Sequence, residues 1–243
     1  MIWLGFSFFF FFFHLSCFTR LVMTAYIVLF TVFFAIAGHA AAPVIIVQSA
    51  TSIQNSGLYD HLLPLFRAES DINVRIVAVG TGQALRNTKK CDAELVIVHS
   101  KIDEEKFVTD GFGSQRHDLM YNDFILVGPK NDPAQIGTAK TTTEAFQKIA
   151  AAKARFASRS DDSGTHKAER RFWLAAGETP KDASGKWYLE TGLGMGSTLN
   201  FAVQADAYAL ADRATWLTFK NKTTHMPLFQ GDPALFNQYG VVL

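Results

Sequence analysis

Cysteine is scarce in this chain, two residues in 243, and Cys17 and Cys91 fall in segments of different character. No disulfide is expected, and Cys91 should be a lone thiol. Excess charge is missing too. The 23 Lys and Arg set against 22 Asp and Glu leave a net charge of +1. With no basic stripe, no aromatic RNA-binding signature and no zinc-finger spacing, nothing supports nucleic-acid binding. Gly80-Thr81-Gly82 follows a strand pattern but has no third glycine at the dinucleotide spacing, which disfavours a nucleotide site. The chain also lacks a Gly-x-Ser-x-Gly elbow and any His or Cys pair at metal-binding spacing, so neither a cofactor nor a metal is called for.

Apolar residues are not scarce. At 49% they supply a core for one large domain or two small ones. The first forty residues hold two apolar runs, one dominated by Phe8 to Phe13 and one from Met23 to Ile36, followed by Gly38-His39-Ala40-Ala41. Small residues before position 41 suit a signal-peptidase site after Ala40, so residues 1–40 read as a signal peptide or hydrophobic leader, with a membrane anchor as the alternative. Export to the periplasm follows from the first reading.

After the leader the pattern becomes strand, polar turn, helix, repeated. Val44 to Val47 is a β-branched run of the kind covered on both faces, followed by the polar loop Gln48 to Gly57 and an amphipathic helix with Leu58, Leu62, Leu65 and Phe66 on one face. Val74 to Val79 leads through Gly80-Thr81-Gly82 into a helix from Gln83. Glu94 to Val98 leads through His99 and Ser100 into a helix from Asp103 to Asp110. Such alternation implies a parallel sheet whose ligands lie beyond the carboxyl ends of the strands. Leu119 to Pro129 is a longer extended run, read as a strand that crosses toward a second domain. The run Leu235 to Leu243 reads as a strand returning to the first sheet.

The most informative stretch is Ser158-Arg159-Ser160-Asp161-Asp162-Ser163-Gly164-Thr165-His166, between a short strand and a helix over Lys167 to Ala176. A helix start offers N–H groups without acceptors and partial positive charge, Ser163 and Thr165 add hydroxyls, and Arg159 adds a permanent cation with a fork of donors. The turn after the first strand, with Ser49, Thr51 and Ser52, carries the same donor chemistry. A hydrolase using Ser163 and His166 with Asp161 or Asp162 is the competing reading, disfavoured because all four crowd into one turn.

These blocks together resemble the periplasmic tungstate-binding proteins that serve ABC importers. The resemblance rests on Ser49-Ala50-Thr51-Ser52 with Gln54, Ser56-Gly57-Leu58 and Asp60, on Ala78 to Leu85, and on Met120 to Phe124 with Val127-Gly128-Pro129. Ser158-Arg159 with Asp161 to His166, and Gly194-Met195-Gly196 with Thr198-Leu199-Asn200, complete it. It implies an α/β, two-lobed type II binding-protein fold, each lobe a mostly parallel sheet flanked by helices. Lobe I would comprise 41–124 and 230–243, and lobe II 125–229. It implies a monomeric, non-enzymatic receptor that holds tungstate or molybdate between the lobes and delivers it to a membrane permease, with phosphate as the alternative ion. The ligand-binding residues would be Ser49, Thr51, Ser52, Gly82, Arg159, Ser163, Gly164 and Thr165. The family's turn usually reads Thr-Thr-Thr-Ser where this chain has Ser49-Ala50-Thr51-Ser52, one hydroxyl fewer. The family also continues past the position of Leu243 into C-terminal helices, so truncation is expected.

Overall fold

The long run 119–129 forms the central strand. In the computed structural model, which describes residues 42–243, β4 spans Arg116–Pro129, and its two halves have different partners. The first half, from Arg116 to Asp123, pairs antiparallel with β9 (Phe236–Val242), and the second half pairs with β7 (Ala209–Asp212) and β8 (His225–Phe229). On the other side of β9 lie β3 (Leu95–Val98), β1 (Val44–Ala50) and β2 (Asn73–Val79), in the order β2-β1-β3-β9-β4-β7. β1 is parallel to both β2 and β3, as the strand–helix alternation predicts. The sheet as a whole is mixed, because β9 runs antiparallel to both β3 and β4. A separate parallel pair, β5 (Phe156–Ser158) and β6 (Tyr188–Glu190), is tied to the larger sheet by a bridge from Phe156 to Tyr208. Pro43–Leu243 is one compact unit, and the two ends of β4 pair with different strands within it.

Alternation along β4 organises the core, since successive side chains leave opposite faces of a strand. Phe124 and Leu126 enter one buried cluster with Phe146, Phe156, Trp173 and Tyr208. Ile125 and Val127 enter another with Ala157, Met195, Leu199 and Trp216. A smaller cluster under β1 and β3 holds Ala50, Val96, Val98 and Phe107.

Helices connect the strands: α1 (Thr51–Asn55), α2 (Leu58–Ser70), α3 (Thr81–Lys89), α4 (Lys101–Thr109), α5 (Thr142–Ala152), α6 (Gly164–Ala175), α7 (Met195–Ala205) and α8 (Arg213–Thr218). Three sequence expectations need correction. The polar stretch after β1 is a helical turn, α1, rather than loop; Ser52 and Ile53 are buried there, so tertiary contact overrides a composition of poor helix formers. β1 is covered only toward its end, since Val44 is exposed and burial begins at Val47. The apolar face of α2 is uncovered among the described residues: none of its residues is buried, and Leu65 is 57% exposed. The leader reading falls on residues outside those described. No helix among the described residues is long and apolar enough to cross a membrane.

Candidate functional site

Short-range sequence effects position the turn between β5 and α6. Ser163 is the N-cap of α6, with extended backbone (φ −73°, ψ 167°), and its Oγ accepts the N–H of His166 at 3.2 Å. Asp161 folds back to accept the Ser163 N–H at 3.2 Å and also takes the Arg159 guanidinium through Nε at 3.2 Å and through Nη2. Arg159 is 2% exposed. The turn therefore buries a cation and holds it by a carboxylate from its own loop. The pair is close to neutral overall, so any further negative charge must be met by hydrogen-bond dipoles.

This turn rests against the turns that follow β2 and β3. Gly82 N–H donates to the carbonyl of Asp162 at 3.3 Å, and a Cβ added at Gly82 would lie 1.8 Å from the Asp162 carboxylate. A larger residue there would displace the Asp162 carboxylate from its place. A Cβ at Gly164 would likewise come within 2.7 Å of the His99 ring. The Asp162 side chain adds ion pairs to Arg86 of α3 at 3.1 Å and Lys167 of α6 at 3.2 Å; burial raises its pKa, but these two cations bring it below the usual carboxylate range.

His99, at the end of β3, joins the remaining pieces. Its Nδ1 is 2.9 Å from Asn237 Oδ1, its ring stacks on Tyr239 with centroids 4.7 Å apart, and its Nε2 lies 3.4 Å from Ser52 Oγ. Ser52 Oγ and the Tyr239 hydroxyl are 2.8 Å apart. Burial, reinforced by the charges of Arg159 and Arg171 against one hydrogen bond to Asn237 Oδ1, pushes the imidazole down to about 4, so it is neutral near pH 7. On β4, next to β9, Asn122 Nδ2 donates to Asp212 Oδ1 at 3.3 Å, and Asp212 caps α8 by accepting the Thr215 N–H at 2.9 Å. Burial raises the Asp212 pKa; the positive charge of Arg159 opposes that shift.

Five buried polar atoms in this network have no hydrogen-bond partner among the described residues: Thr81 Oγ1, Thr165 Oγ1, Asp212 Oδ2, Thr215 Oγ1 and Asn237 Nδ2. Thr81 and Thr165 are completely buried, and they sit on the adjoining first turns of α3 and α6. Leaving a buried hydroxyl unpaired costs on the order of 1–3 kcal/mol, and native proteins carry only a few such groups. Their concentration here marks a place built to meet something else.

Five of the eight residues named from the sequence, Ser52, Gly82, Ser163, Gly164 and Thr165, lie in this connected set, and Arg159 is anchored to it through Asp161. Ser49 is buried, but its hydroxyl is engaged with Tyr59 of α2 and the Ala50 carbonyl. Thr51 is half-buried at the start of α1. Gly82 contributes close approach; its own N–H is used by Asp162. Sequence reasoning missed Thr81, a hydroxyl between two glycines in a unit already identified as strand–turn–helix. It also missed Asp212, Asn237 and Tyr239, which come from later strands and have no local signature. The hydrolase reading fails on geometry. Ser163 Oγ accepts the backbone N–H of His166, while the ring Nδ1 of His166 accepts the Asp162 N–H at 3.2 Å, so serine and imidazole are not partnered. An open groove of about 760 Å³ lies elsewhere, beside α2 and β2, and one of about 620 Å³ between α4 and α6 has Ser160 and His166 of this turn in its lining.

Residues 37–243 match the model of the PBP superfamily domain. The chain is 46% identical to the tungstate-binding protein TupA of Peptoclostridium acidaminophilum, over 82% of this chain and 69% of that protein. This chain belongs to the TupA family of the PBP superfamily. Solved structures agree with that placement. The tungstate ABC transporter protein from Geobacter sulfurreducens is 47% identical with a TM-score of 0.74, over 82% of this chain and 84% of that one. TupA from Desulfovibrio alaskensis G20 is 41% identical with a TM-score of 0.70, over 83% and 81%. The chain spans 60% to 71% of the length of the curated relatives it matches. In this TupA-family chain the turns that meet are those carrying the motifs Ser49 to Ser52, Gly80 to Gly82 and Arg159 to Thr165.

Proposed function

We propose that this protein is an extracytoplasmic, monomeric receptor that captures tungstate, or the near-isosteric molybdate, and hands it to the membrane permease of an ABC importer. The observation that carries this reading is the pair of buried, unpartnered hydroxyls, Thr81 and Thr165, beside a buried arginine. A tetrahedral dianion accepts hydrogen bonds from all sides and donates none, which is what such a donor-rich enclosure requires. Family membership supports the same ligand class. The halves built on either side of β4, residues 41–124 with 230–243 and residues 125–229, act as lobes. The ion would meet donors of both, so its contacts favour the closed arrangement.

Each charge-assisted hydrogen bond in such a desolvated cleft contributes ~1.5–3 kcal/mol. Arg159, already paired with Asp161, does not neutralise a dianion. The first-turn N–H groups of α3 and α6 other than those of Gly82 and His166, aligned with their helix dipoles, supply the rest.

Thermal unfolding with and without sodium tungstate tests the reading. A ligand confined to the native state stabilises by RT ln(1 + [L]/Kd), ~4 kcal/mol at a thousandfold excess over Kd. Tungstate and molybdate should raise the unfolding temperature well above sulfate and phosphate controls, and Arg159→Gln should lose most of that shift. No shift with any of the four anions would sink the proposal.

A further inference from the structure

One buried ionisable group has no part in the contacts described above. Glu169, on the first turns of α6, is 1% exposed. Its carboxylate accepts from Ser158 Oγ at 3.0 Å, from the Tyr188 hydroxyl at 2.6 Å and from Trp173 Nε1 at 3.3 Å, and the backbone N–H of Arg159 also faces it. These partners come from β5, β6 and α6. Together they fix the strand end from which Arg159 enters the site. The Tyr188 hydroxyl also lies 2.9 Å from Ser158 Oγ, which brings the two donors together at the carboxylate.

All of those donors are neutral. Tyr188 is the one titratable side chain among the groups facing Glu169. Arg159 follows Ser158 and presents its backbone N–H, and its guanidinium is taken by Asp161; Glu190 of β6 acts on Tyr188 through its charge. From α5 the surroundings are aromatic, with Phe146 packed on Trp173 and Phe156. Within α6, Lys167 is paired with Asp103 and Asp162, and Arg170 and Arg171 are exposed. An ionised Glu169 thus holds a buried negative charge with no counter-ion among the described residues, directly behind the residue proposed to receive a dianion. Water does not reach it, so the repulsion between the two anions is weakly screened.

We infer that Glu169 is a positioning residue behind Arg159, and that capture of the oxyanion drives a proton from solvent onto its carboxyl. The inference rests on the proposed oxyanion function. The proton adds to one carboxylate oxygen, and Ser158 Oγ, 3.0 Å from Oε2, can accept the resulting O–H hydrogen bond. No other bond is made or broken. Burial supports the same conclusion, since it pushes the free carboxyl up to about 7 against the hydrogen bonds that favour its ionised form. The protein without ligand is then divided between the two forms near neutral pH, and the bound anion tips the balance toward the neutral acid.

Isothermal titration calorimetry of the full chain with sodium tungstate, in PIPES and in Tris, reads proton uptake from the difference in heats. Uptake of about half a proton per ion is expected at pH 7 and almost none at pH 5.5, where the free carboxyl is already protonated. Glu169→Gln should bind tungstate with no buffer dependence, and His166→Gln should keep the wild-type uptake. If Glu169→Gln does not fold, Tyr188→Phe, which removes a donor to the ionised carboxylate, should move the uptake maximum to higher pH. Equal heats in the two buffers, uptake that survives in Glu169→Gln, or an unmoved maximum in Tyr188→Phe overturns the inference with oxyanion binding intact. Absence of any binding heat overturns the oxyanion reading instead.

Discussion

Thr81 and Thr165 give the sharpest test at the scale of single residues. Both hydroxyls are buried without a partner among the described residues, and a bound oxyanion would give each its acceptor. Replacing either by valine, close in shape, removes the hydroxyl at little packing cost. Thr81→Val and Thr165→Val are each expected to lower tungstate affinity by roughly tenfold or more, about 1.4 kcal/mol, while leaving unligated stability unchanged or slightly higher. Titration calorimetry paired with unliganded melts checks both halves of that statement. A variant that loses stability and keeps affinity would show that its hydroxyl serves the fold. Ser49 provides the contrast. Its hydroxyl already has Tyr59 and the Ala50 carbonyl, and the Ala50 that follows has none to offer. The substituted first positions of this turn are therefore not a missing half of the donor set, because Thr81 and Thr165 carry free donors on the turns that meet.

At the scale of elements, α6 has two tasks that its N-cap separates. Ser163 caps its first turn as Thr141 caps α5, each accepting the N–H three residues on. Removing either cap by alanine should cost about 1 kcal/mol of stability. Only Ser163→Ala should also weaken tungstate binding, because only α6 begins beside Arg159 and Thr165. Equal loss of affinity in Thr141→Ala would mean that binding follows global stability rather than the α6 start. Much at this scale is legible from local pattern. The helices that start at Thr81 and Gly164 follow the polar turns as the strand–turn–helix pattern predicts, and the returning strand is β9. The helical turn α1 is not legible, because Thr51 to Asn55 carry little intrinsic helix preference and are held by the burial of Ser52 and Ile53.

Across the whole molecule, His99 ties β3, β9, α1 and the start of α6 together in its neutral form. Its pKa falls from 6.5 to about 4 in the fold, through burial first, so the unfolded chain binds a proton at pH values where the folded protein does not. The resulting stability is fully present above about pH 6.5 and is lost as pH falls toward 4, by up to about 3 kcal/mol. Urea unfolding between pH 7 and pH 4 checks that decline, and adding His99→Gln, which removes the titrating ring, should flatten it. Glu169 acts in the opposite sense, since its pKa is raised from 4.5 to about 7 and its contribution is lost as pH rises through that interval. The full decline between pH 7 and pH 4 should therefore be read in Glu169→Gln, with the double substitution as its reference.

The sequence by itself determined the local grammar: which runs are strands, which turns carry hydroxyls and glycines, and that Arg159 stands before a helix start. Those features depend on neighbours within a few positions and on side-chain chemistry that survives in any fold. Its family blocks also carried the family membership on which the proposed ligand class rests. Tertiary structure alone decided which donors remain unpaired, because a hydroxyl's availability depends on every group that reaches it, including residues as distant in the chain as Ser52 and Tyr239. The mixed character of the sheet was settled at the same level. The direction in which β9 pairs is chosen by how the returning chain meets β3 and β4, and no short stretch of residues encodes that meeting.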